Sequence, residues 1–148
     1  MARSSSDSTL DSLALLFIRV PLGMVFVAHG SQKLLGLFGG AGLTATLKNF
    51  EVHMGIPPIL TLLAIIAEFG GGLGILAGLF TRLSAVGISV TMAVAIYKVH
   101  WANGFFLNWF CASGRGHGTE YNIALLGMAL ALVVTGGGRW ALDRIIWK

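Results

Sequence analysis

Long apolar segments, separated by short polar ones, account for most of the chain. Residues 57–80 are apolar except for Thr61 and Glu68, and a helix of about 20 apolar residues can cross the hydrocarbon core of a bilayer. Three other segments have the same character and lie at residues 13–37, 83–106 and 119–136. The pattern predicts an all-α fold, an integral membrane four-helix bundle, with Glu68 near the middle of its second span.

A shorter amphipathic segment lies in the first outer loop, between the first and second spans. Its apolar residues recur every three or four positions, which places them on one face of a helix: Leu43, Leu47, Phe50 and Met54. Gly55 and Pro57 suit the end of such a helix. We expect it to lie in the membrane interface or to fold over the mouth of the bundle.

The two ends of the chain are predicted to lie outside the bundle. Residues 1–11 are polar and rich in serine, which indicates a disordered tail that ends in a helix N-cap at Asp11 or Ser12. Residues 139–148 predict a short basic amphipathic helix on the membrane surface. Residues 12–148 would then form a single membrane domain.

Composition and cysteine content narrow the class of protein. Of the 148 residues, 55% are apolar and 11% are charged, which is too apolar for an ordinary soluble domain. The net charge of +4 is spread over the segment ends, and without a basic stripe it gives no reason to expect nucleic-acid binding. Cys111 is the only cysteine, so an internal disulfide and a CxxC redox centre are excluded. We expect Cys111 to be a small loop residue.

Basic residues outside the spans predict the orientation of the bundle. The side with both termini carries Arg3, Arg82, Arg139, Arg144 and Lys148. The opposite side carries Lys33, Lys48 and Arg115. Because loops rich in Lys and Arg stay in the cytoplasm, we expect both termini to be cytoplasmic.

Ionisable side chains near and inside the predicted spans are the candidate functional residues. They come from all four spans and comprise Arg19, His29, Lys33, Glu68, Lys98, His100 and Glu120. A charge near the centre of a bilayer costs about 2.5 kcal/mol or more, so such groups usually face the bundle interior and pair with one another. We expect most of them to converge on an outward-facing cavity, where they bind a ligand head group or transfer protons.

Glu68 is the strongest candidate for a protonatable group, because it lies near the midplane of its span. Its counter-charge would be Arg19, Lys98 or a protonated histidine. Structural roles remain open, because Lys33 and Lys98 can extend to the interface and Glu120 suits a helix N-terminus. The whole set would then be an ion-pair network without a ligand.

Two further patterns concern packing and metals. Gly70, Gly74 and Gly78 recur at four-residue spacing, which predicts the close approach of another helix. The chain has no CxxC or HExxH pattern, so no metal site is predicted. Haem ligation by His29 and His100, which lie on separate helices, is a weaker alternative.

Several short motifs carry a resemblance to a known family, and they cover the chain from about Leu15 to Ile146. They are Arg19 with Gly23, HGxxK at 29–33, GIPP at 55–58, AEFGGG at 67–72, GLFTR at 78–82, VHWANGFFLNW at 99–109, Glu120 with Tyr121, and GGGRWALD at 136–143. By these motifs the chain resembles the DoxX family of small integral membrane proteins. The resemblance implies a four-helix membrane bundle in the plasma (inner) membrane of a bacterium or archaeon.

The resemblance also implies a choice of functions. The founding members are small subunits of an archaeal terminal quinol oxidase, also described as a thiosulfate:quinone oxidoreductase. Another member is proposed to scaffold a superoxide dismutase and a sulfurtransferase at a bacterial membrane. We expect an accessory membrane subunit of a quinone-linked redox or respiratory assembly, with quinone as ligand and redox-enzyme subunits as partners. The alternatives are a non-catalytic scaffold and a small-solute transporter or channel, which four short spans would form as a homo-oligomer.

Overall fold

The computed structural model describes the backbone of residues 5–146 and the side chains of residues 9–146. Over that range the regular structure is helical, which confirms the predicted all-α class. The helices are α1 (Ser5–Leu35), α2 (Gly42–Met54), α3 (Pro58–Ala77), α4 (Thr81–Ala95), α5 (Glu120–Thr135) and α6 (Asp143–Ile146). Shorter turns of other helix types are a π-helical turn at Ile96–His100 and 3₁₀ turns at Leu37–Gly39 and Trp101–Asn103.

The predicted helical membrane bundle is confirmed. Three helical segments of the described chain are long and apolar enough to cross a membrane: Thr9–Leu35, Pro58–Ala77 and Thr81–Asn103. α5 is also apolar, and with 16 residues it is the shorter fourth member. The third segment ends at Asn103 rather than at residue 106, because Gly104 follows with a positive φ of 79° and ends the helix.

The two ends of the bundle hold different segments of the chain. The α3–α4 turn contacts Asp143 of α6, and Arg139 contacts Ser12 near the start of α1. We call this end the termini side. The opposite end holds α2 and residues 104–119, and we call it the loop side.

α3 is the central helix, with α1 and α4 packed against it and α5 packed against α4. The core between them consists of apolar residues that are almost completely buried: Leu22, Phe26, Ile75, Ala85, Ile88, Met92, Leu125, Ala129 and Leu132. At the α1–α3 crossing a Cβ added at Gly72 would lie 2.8 Å from the backbone nitrogen of Val27. A Cβ added at Gly23 would lie 2.9 Å from the carbonyl oxygen of Gly72. The two backbones are therefore in direct contact, as is common between membrane helices.

The close packing predicted for the glycine stripe on α3 is found at Gly74 and Gly78 and is wrong at Gly70. An added Cβ at Gly70 would meet no atom within 4 Å, so this residue packs against no other helix of the described chain. Gly74 lies close to Ser84, and Gly78 ends α3 with a φ of 70°. The buried face of α3 passes through Glu68 and Gly72, and Gly70 lies about 200° around the helix from Glu68.

The amphipathic helix predicted in the first loop is confirmed as α2. Its four predicted apolar residues, Leu43, Leu47, Phe50 and Met54, are all half-buried. α2 packs against α1 and α3, which places it over the loop side of the bundle. It ends at Gly55, whose left-handed backbone (φ 63°) lets its N–H bond back to the Glu51 carbonyl at 3.2 Å.

The predictions for the chain ends are wrong in their boundaries. α1 begins at Ser5, so Asp11 and Ser12 are not N-caps, and residues 5–11 are helical rather than a disordered tail. Two polar side chains in this part of α1 accept hydrogen bonds from Arg139. Its backbone N–H donates to Ser12 Oγ at 3.3 Å, and its Nη1 donates to Thr9 Oγ1 at 3.1 Å. Residues 1–4 lie outside the described part of the chain.

The C-terminal helix begins at Asp143 rather than at the predicted residue 139, and its described part is Asp143–Ile146. Ala141 just before it is buried beside Gly78, where the two residues are in close contact. The backbone N–H of Asp143 donates to the Gly78 carbonyl at 2.8 Å, which fixes the start of α6. Residues 147 and 148 of the predicted helix lie outside the described residues.

Candidate functional site

A cavity of about 500 Å³ lies on the loop side, between α1, α3, α4 and α5. Small-molecule sites commonly have volumes of about 300 to 1,000 Å³, so the cavity is large enough for a ligand. Its apolar lining consists of Phe26, Met92, Ala95, Leu107 and Leu125. Its other lining residues are His29, Lys33, Glu68, His100, Asn108, Trp109, Cys111, His117, Tyr121 and Asn122.

A buried ion pair joins two of the predicted residues. Lys33 Nζ on α1 donates to Glu68 Oε2 on α3. Glu68 is only 4% exposed, whereas the Lys33 side chain is 24% exposed. The counter-charge of Glu68 is therefore Lys33, and the predicted pairing with Arg19 or Lys98 is wrong. The close contact of Gly30 with Phe69 brings the two helices together beside this pair.

Pairing changes the cost of placing a carboxylate at this depth. An unpaired charge in a membrane span is expensive, and a direct hydrogen-bonded partner removes much of that cost. Lys33 lies close to the loop-side end of α1, so the ammonium can reach both Glu68 and the cavity mouth. Lys33 was predicted to extend to the interface as an isolated charge. Its ammonium instead contacts Glu68 inside the bundle.

Three histidines line the same cavity. His29 and His100 were predicted to converge there, and the structure brings both to the lining. His100 Nδ1 lies 2.8 Å from the carbonyl oxygen of His117. His117 Nδ1 in turn accepts the Asn108 backbone N–H at 3.2 Å. His100 ends the π-helical turn, a feature that often occurs at functional sites.

The residues with metal-binding side chains do not form a metal centre in this arrangement. Across residues 9–146 no group of three His, Cys, Asp or Glu side chains is close enough to hold a metal ion. His100 and His117 instead take part in the hydrogen bonds of the cavity wall described above.

Two predicted residues lie on the loop side without lining the cavity. Lys98 is exposed, and its ammonium is 3.5 Å from the Met54 carbonyl at the end of α2. Glu120 begins α5, and its Oε1 accepts the indole N–H of Trp109 at 3.3 Å. Because Trp109 lines the cavity, this hydrogen bond links Glu120 to the cavity wall.

Arg19 lies at the opposite end of the bundle and is 1% exposed. Its Nε donates to the Ile75 carbonyl and its Nη2 to the Leu76 carbonyl, each at 2.9 Å. Nη1 donates to the Gly137 carbonyl at 3.0 Å and to the Trp140 carbonyl at 3.3 Å. The guanidinium thus stabilises the C-terminal end of α3, where carbonyl groups lack helical partners and the helix dipole favours a cation.

Several lining residues were missed from the sequence. Asn122, in the first turn of α5, is 7% exposed, and its Nδ2 donates to Met92 Sδ at 3.6 Å. It is a polar residue in an apolar span, so the rule that singled out Glu68 could also have found it. Trp109, Cys111 and His117 come from residues 104–119, and no periodic pattern indicates that this loop folds back over the cavity.

Below the cavity, toward the termini side, the bundle is densely packed. Leu22, Ile75, Ile88, Ala129 and Leu132 in this region all have 0% exposure. Among the described side chains, these packed residues thus close the cavity on the side that faces the termini side.

A family comparison agrees with this architecture. The DoxX family model matches residues 14–101, which include most of α1, all of α2 to α4 and the residues of the ion pair. The chain belongs to the DoxX family. The resemblance drawn from the sequence motifs is therefore confirmed.

Relatives of this DoxX protein cover almost its whole length. Inner membrane protein YqjF of Escherichia coli is 28% identical over 142 residues, which is 94% of this chain and 96% of the relative. A Haemophilus influenzae protein is 30% identical over 138 residues, 90% of this chain and 91% of its own. A Bacillus subtilis protein named "Putative oxidoreductase CatD" is 29% identical over 133 residues, 90% and 87% of the two chains. No solved structure matches the chain.

Proposed function

We propose that this DoxX protein binds a quinone in the loop-side cavity and is an accessory membrane subunit of a quinone-linked redox assembly. The observation that carries the proposal is the buried Lys33–Glu68 pair in a cavity with apolar walls. A quinone head group is a flat, largely apolar ring with two oxygen atoms. Phe26, Met92 and Leu125 provide apolar contact for such a ring, and the polar lining residues provide hydrogen bonds for its oxygens.

The chemistry of the lining fits a reaction that takes up protons. Reduction of one quinone to a quinol consumes two electrons and two protons. The electrons would come from a partner subunit that carries a flavin or a metal centre. Lys33 would donate a hydrogen bond to a quinone oxygen, and the Glu68 carboxylate would accept protons one at a time and pass each of them to that oxygen. His29, His100 and His117 lie along the same wall and would return protons to Glu68 from the aqueous side.

The name of one relative supports a redox function. The Bacillus subtilis protein named "Putative oxidoreductase CatD" aligns with 90% of this chain. The alignment thus includes residues from most of the bundle rather than a single motif. The same proposal includes an association of this chain with redox-enzyme subunits.

The two alternative functions receive less support. A channel through one chain would need a path beyond the cavity, and packed core residues such as Ile88 and Leu132 fill that region, so a channel would require the homo-oligomer. A scaffold would bind partners through the C-terminal tail, whose Ile145 and Ile146 are exposed. Asp143 fixes the start of this tail to the α3–α4 turn, with bonds of 2.6 Å to the Phe80 N–H and 2.8 Å to the Thr81 N–H, so α6 is packed on the bundle rather than a free arm.

The proposal is tested by native mass spectrometry and by a charge-neutral substitution. Gently solubilised protein from its own membranes should carry a bound quinone, and redox subunits should be present in the same particle. Glu68→Gln should lower the rate of quinol formation by that particle roughly 100-fold, the usual scale for losing a proton-transfer group. Glu51→Gln, the same change at an exposed residue of α2, should leave the rate unchanged.

Two results would contradict the proposal. One is a particle that contains neither quinone nor redox subunits. The other is a Glu68→Gln protein that inserts normally and retains the full quinone-dependent rate.

A further inference from the structure

Asn122 is a buried amide at the cavity wall whose hydrogen-bonding capacity is largely unused. Its side chain is almost fully enclosed, with 7% exposure. Its one hydrogen bond within the described residues is the donation of Nδ2 to Met92 Sδ at 3.6 Å. A thioether sulfur is a weak acceptor. Within the described residues the amide oxygen and the second N–H have no protein partner, whereas polar groups of buried residues are normally satisfied. The amide oxygen is not among the fully enclosed polar atoms, so it is open to the cavity that Asn122 lines.

The cavity is the place where this capacity can be used. Asn122 lines it together with Phe26, Met92 and Leu125, which offer no donor or acceptor of comparable strength. The charged pair of Lys33 and Glu68 belongs to α1 and α3, whereas Asn122 belongs to α5. The cavity thus has a titratable polar region and, on another helix, a neutral one.

A neutral amide can bond the same ligand oxygen in two oxidation states. Its N–H donates to a carbonyl oxygen, and its C=O accepts from a hydroxyl group, so neither state needs a change of protonation at the amide. A carboxylate can only accept, and a leucine can do neither. We propose that Asn122 is a positioning residue that holds one oxygen of the ring in both the quinone and the quinol form. This inference rests on the proposed quinone site.

Asn122 restricts the class of ligand more than the volume and apolar lining of the cavity do. The ligand has a neutral carbonyl or hydroxyl group on the part of the ring that contacts α5. A site with a buried polar group discriminates against an analogue that cannot pair with it. A hydrocarbon ring of the same size should therefore bind this cavity more weakly than the oxygenated ring, and Asn122 should cause part of the difference.

The test is a binding titration of the full chain in lipid nanodiscs by calorimetry. The probes are a short-chain 1,4-benzoquinone, its quinol kept under argon, and the corresponding alkylbenzene. Asn122→Leu should weaken the binding of both the quinone and the quinol about tenfold, the value of roughly one buried hydrogen bond. Binding of the alkylbenzene should be unchanged or stronger. Asn49→Leu, the same change at an exposed residue of α2, serves as the matched control.

The outcomes separate this inference from the proposed function. If the wild-type chain binds the quinone, and Asn122→Leu binds the quinone and the quinol as tightly as the wild type does, the role of Asn122 is disproved while the quinone site stands. Weakening of only one oxidation state would also disprove it. If the wild-type chain binds neither quinone nor quinol, both the proposed site and this inference fail. The thermal unfolding temperature of Asn122→Leu, compared with that of Asn49→Leu, shows that the variant is folded.

Discussion

Arg19 and Asp143 stabilise the facing ends of two consecutive helices on the termini side. The Arg19 guanidinium binds the carbonyls of Ile75 and Leu76 at the end of α3. The Asp143 carboxylate accepts the N–H groups of Phe80 and Thr81 at the start of α4. A cation thus lies at a helix C-terminus and an anion at a helix N-terminus, which is the favourable placement for both helix dipoles.

We expect Arg19→Ala to destabilise the bundle strongly. The substitution leaves carbonyl groups of α3 and of the Gly137–Trp140 turn without their donor, at a cost of about 3 kcal/mol. Unfolding in mixed detergent micelles measures the change in free energy. Arg144→Ala removes the same charge from an exposed residue of α6 and should leave the unfolding midpoint unchanged. Equal stability of the two variants would show that the Arg19 bonds contribute little.

The glycines of α3 provide a second pair of matched substitutions. Gly72→Ala would place a Cβ 2.8 Å from the backbone nitrogen of Val27, so α1 and α3 must separate. We expect a loss of about 1 to 3 kcal/mol, which is typical of overpacking. Gly70→Ala meets open space and should be neutral or slightly stabilising, because alanine favours a helix. The same unfolding assay compares them, and a larger loss for Gly70→Ala would refute the α1–α3 register described here.

The Lys33–Glu68 pair should show strong coupling in a double-mutant cycle. Lys33→Met leaves the buried carboxylate without its partner, and we expect a loss of roughly 3 kcal/mol. Adding Glu68→Gln removes the unpaired charge and should recover most of that loss. The cycle is measured by the unfolding free energies of the wild type, both single variants and the double variant. Additive effects would mean that the two side chains do not interact in the membrane.

Cys111 makes the orientation of the protein testable without adding a label site. It is the only cysteine and it is exposed on the loop side. With cytoplasmic termini, a membrane-impermeant maleimide should label Cys111 in intact bacterial cells. In a Cys111→Ser, Arg144→Cys variant, labelling should need permeabilised membranes, because residue 144 lies on the termini side. The reverse pattern would invert the proposed topology.

The sequence was informative where structure depends on local periodicity or on the cost of a buried charge. α2 was found because its apolar residues repeat with the helical period. His29, Glu68 and His100 were found because an ionisable group in a membrane span is costly unless it is paired or has a function. The three residues do share the cavity.

The failures have three physical causes. The partners of Arg19 are backbone carbonyls, which every residue has and which no side-chain pattern reveals. Gly70 was wrongly assigned to the packing stripe because a four-residue spacing does not say which face of α3 meets α1. His117 reaches the cavity only through the path of residues 104–119, which depends on contacts distant in sequence.

The bonds of Arg19 also constrain the order in which the protein can be made. The carbonyl of Gly137 lies 118 residues further along the chain, and that of Ile75 lies 56 residues further. During synthesis the first span is therefore complete long before its arginine has acceptors from α3, and longer still before the C-terminal turn is made. Until then the guanidinium must be solvated by water, lipid head groups or the insertion machinery. The first helix can take its final depth in the bilayer only after α3 has been inserted, and its anchorage is completed only when the end of the chain arrives.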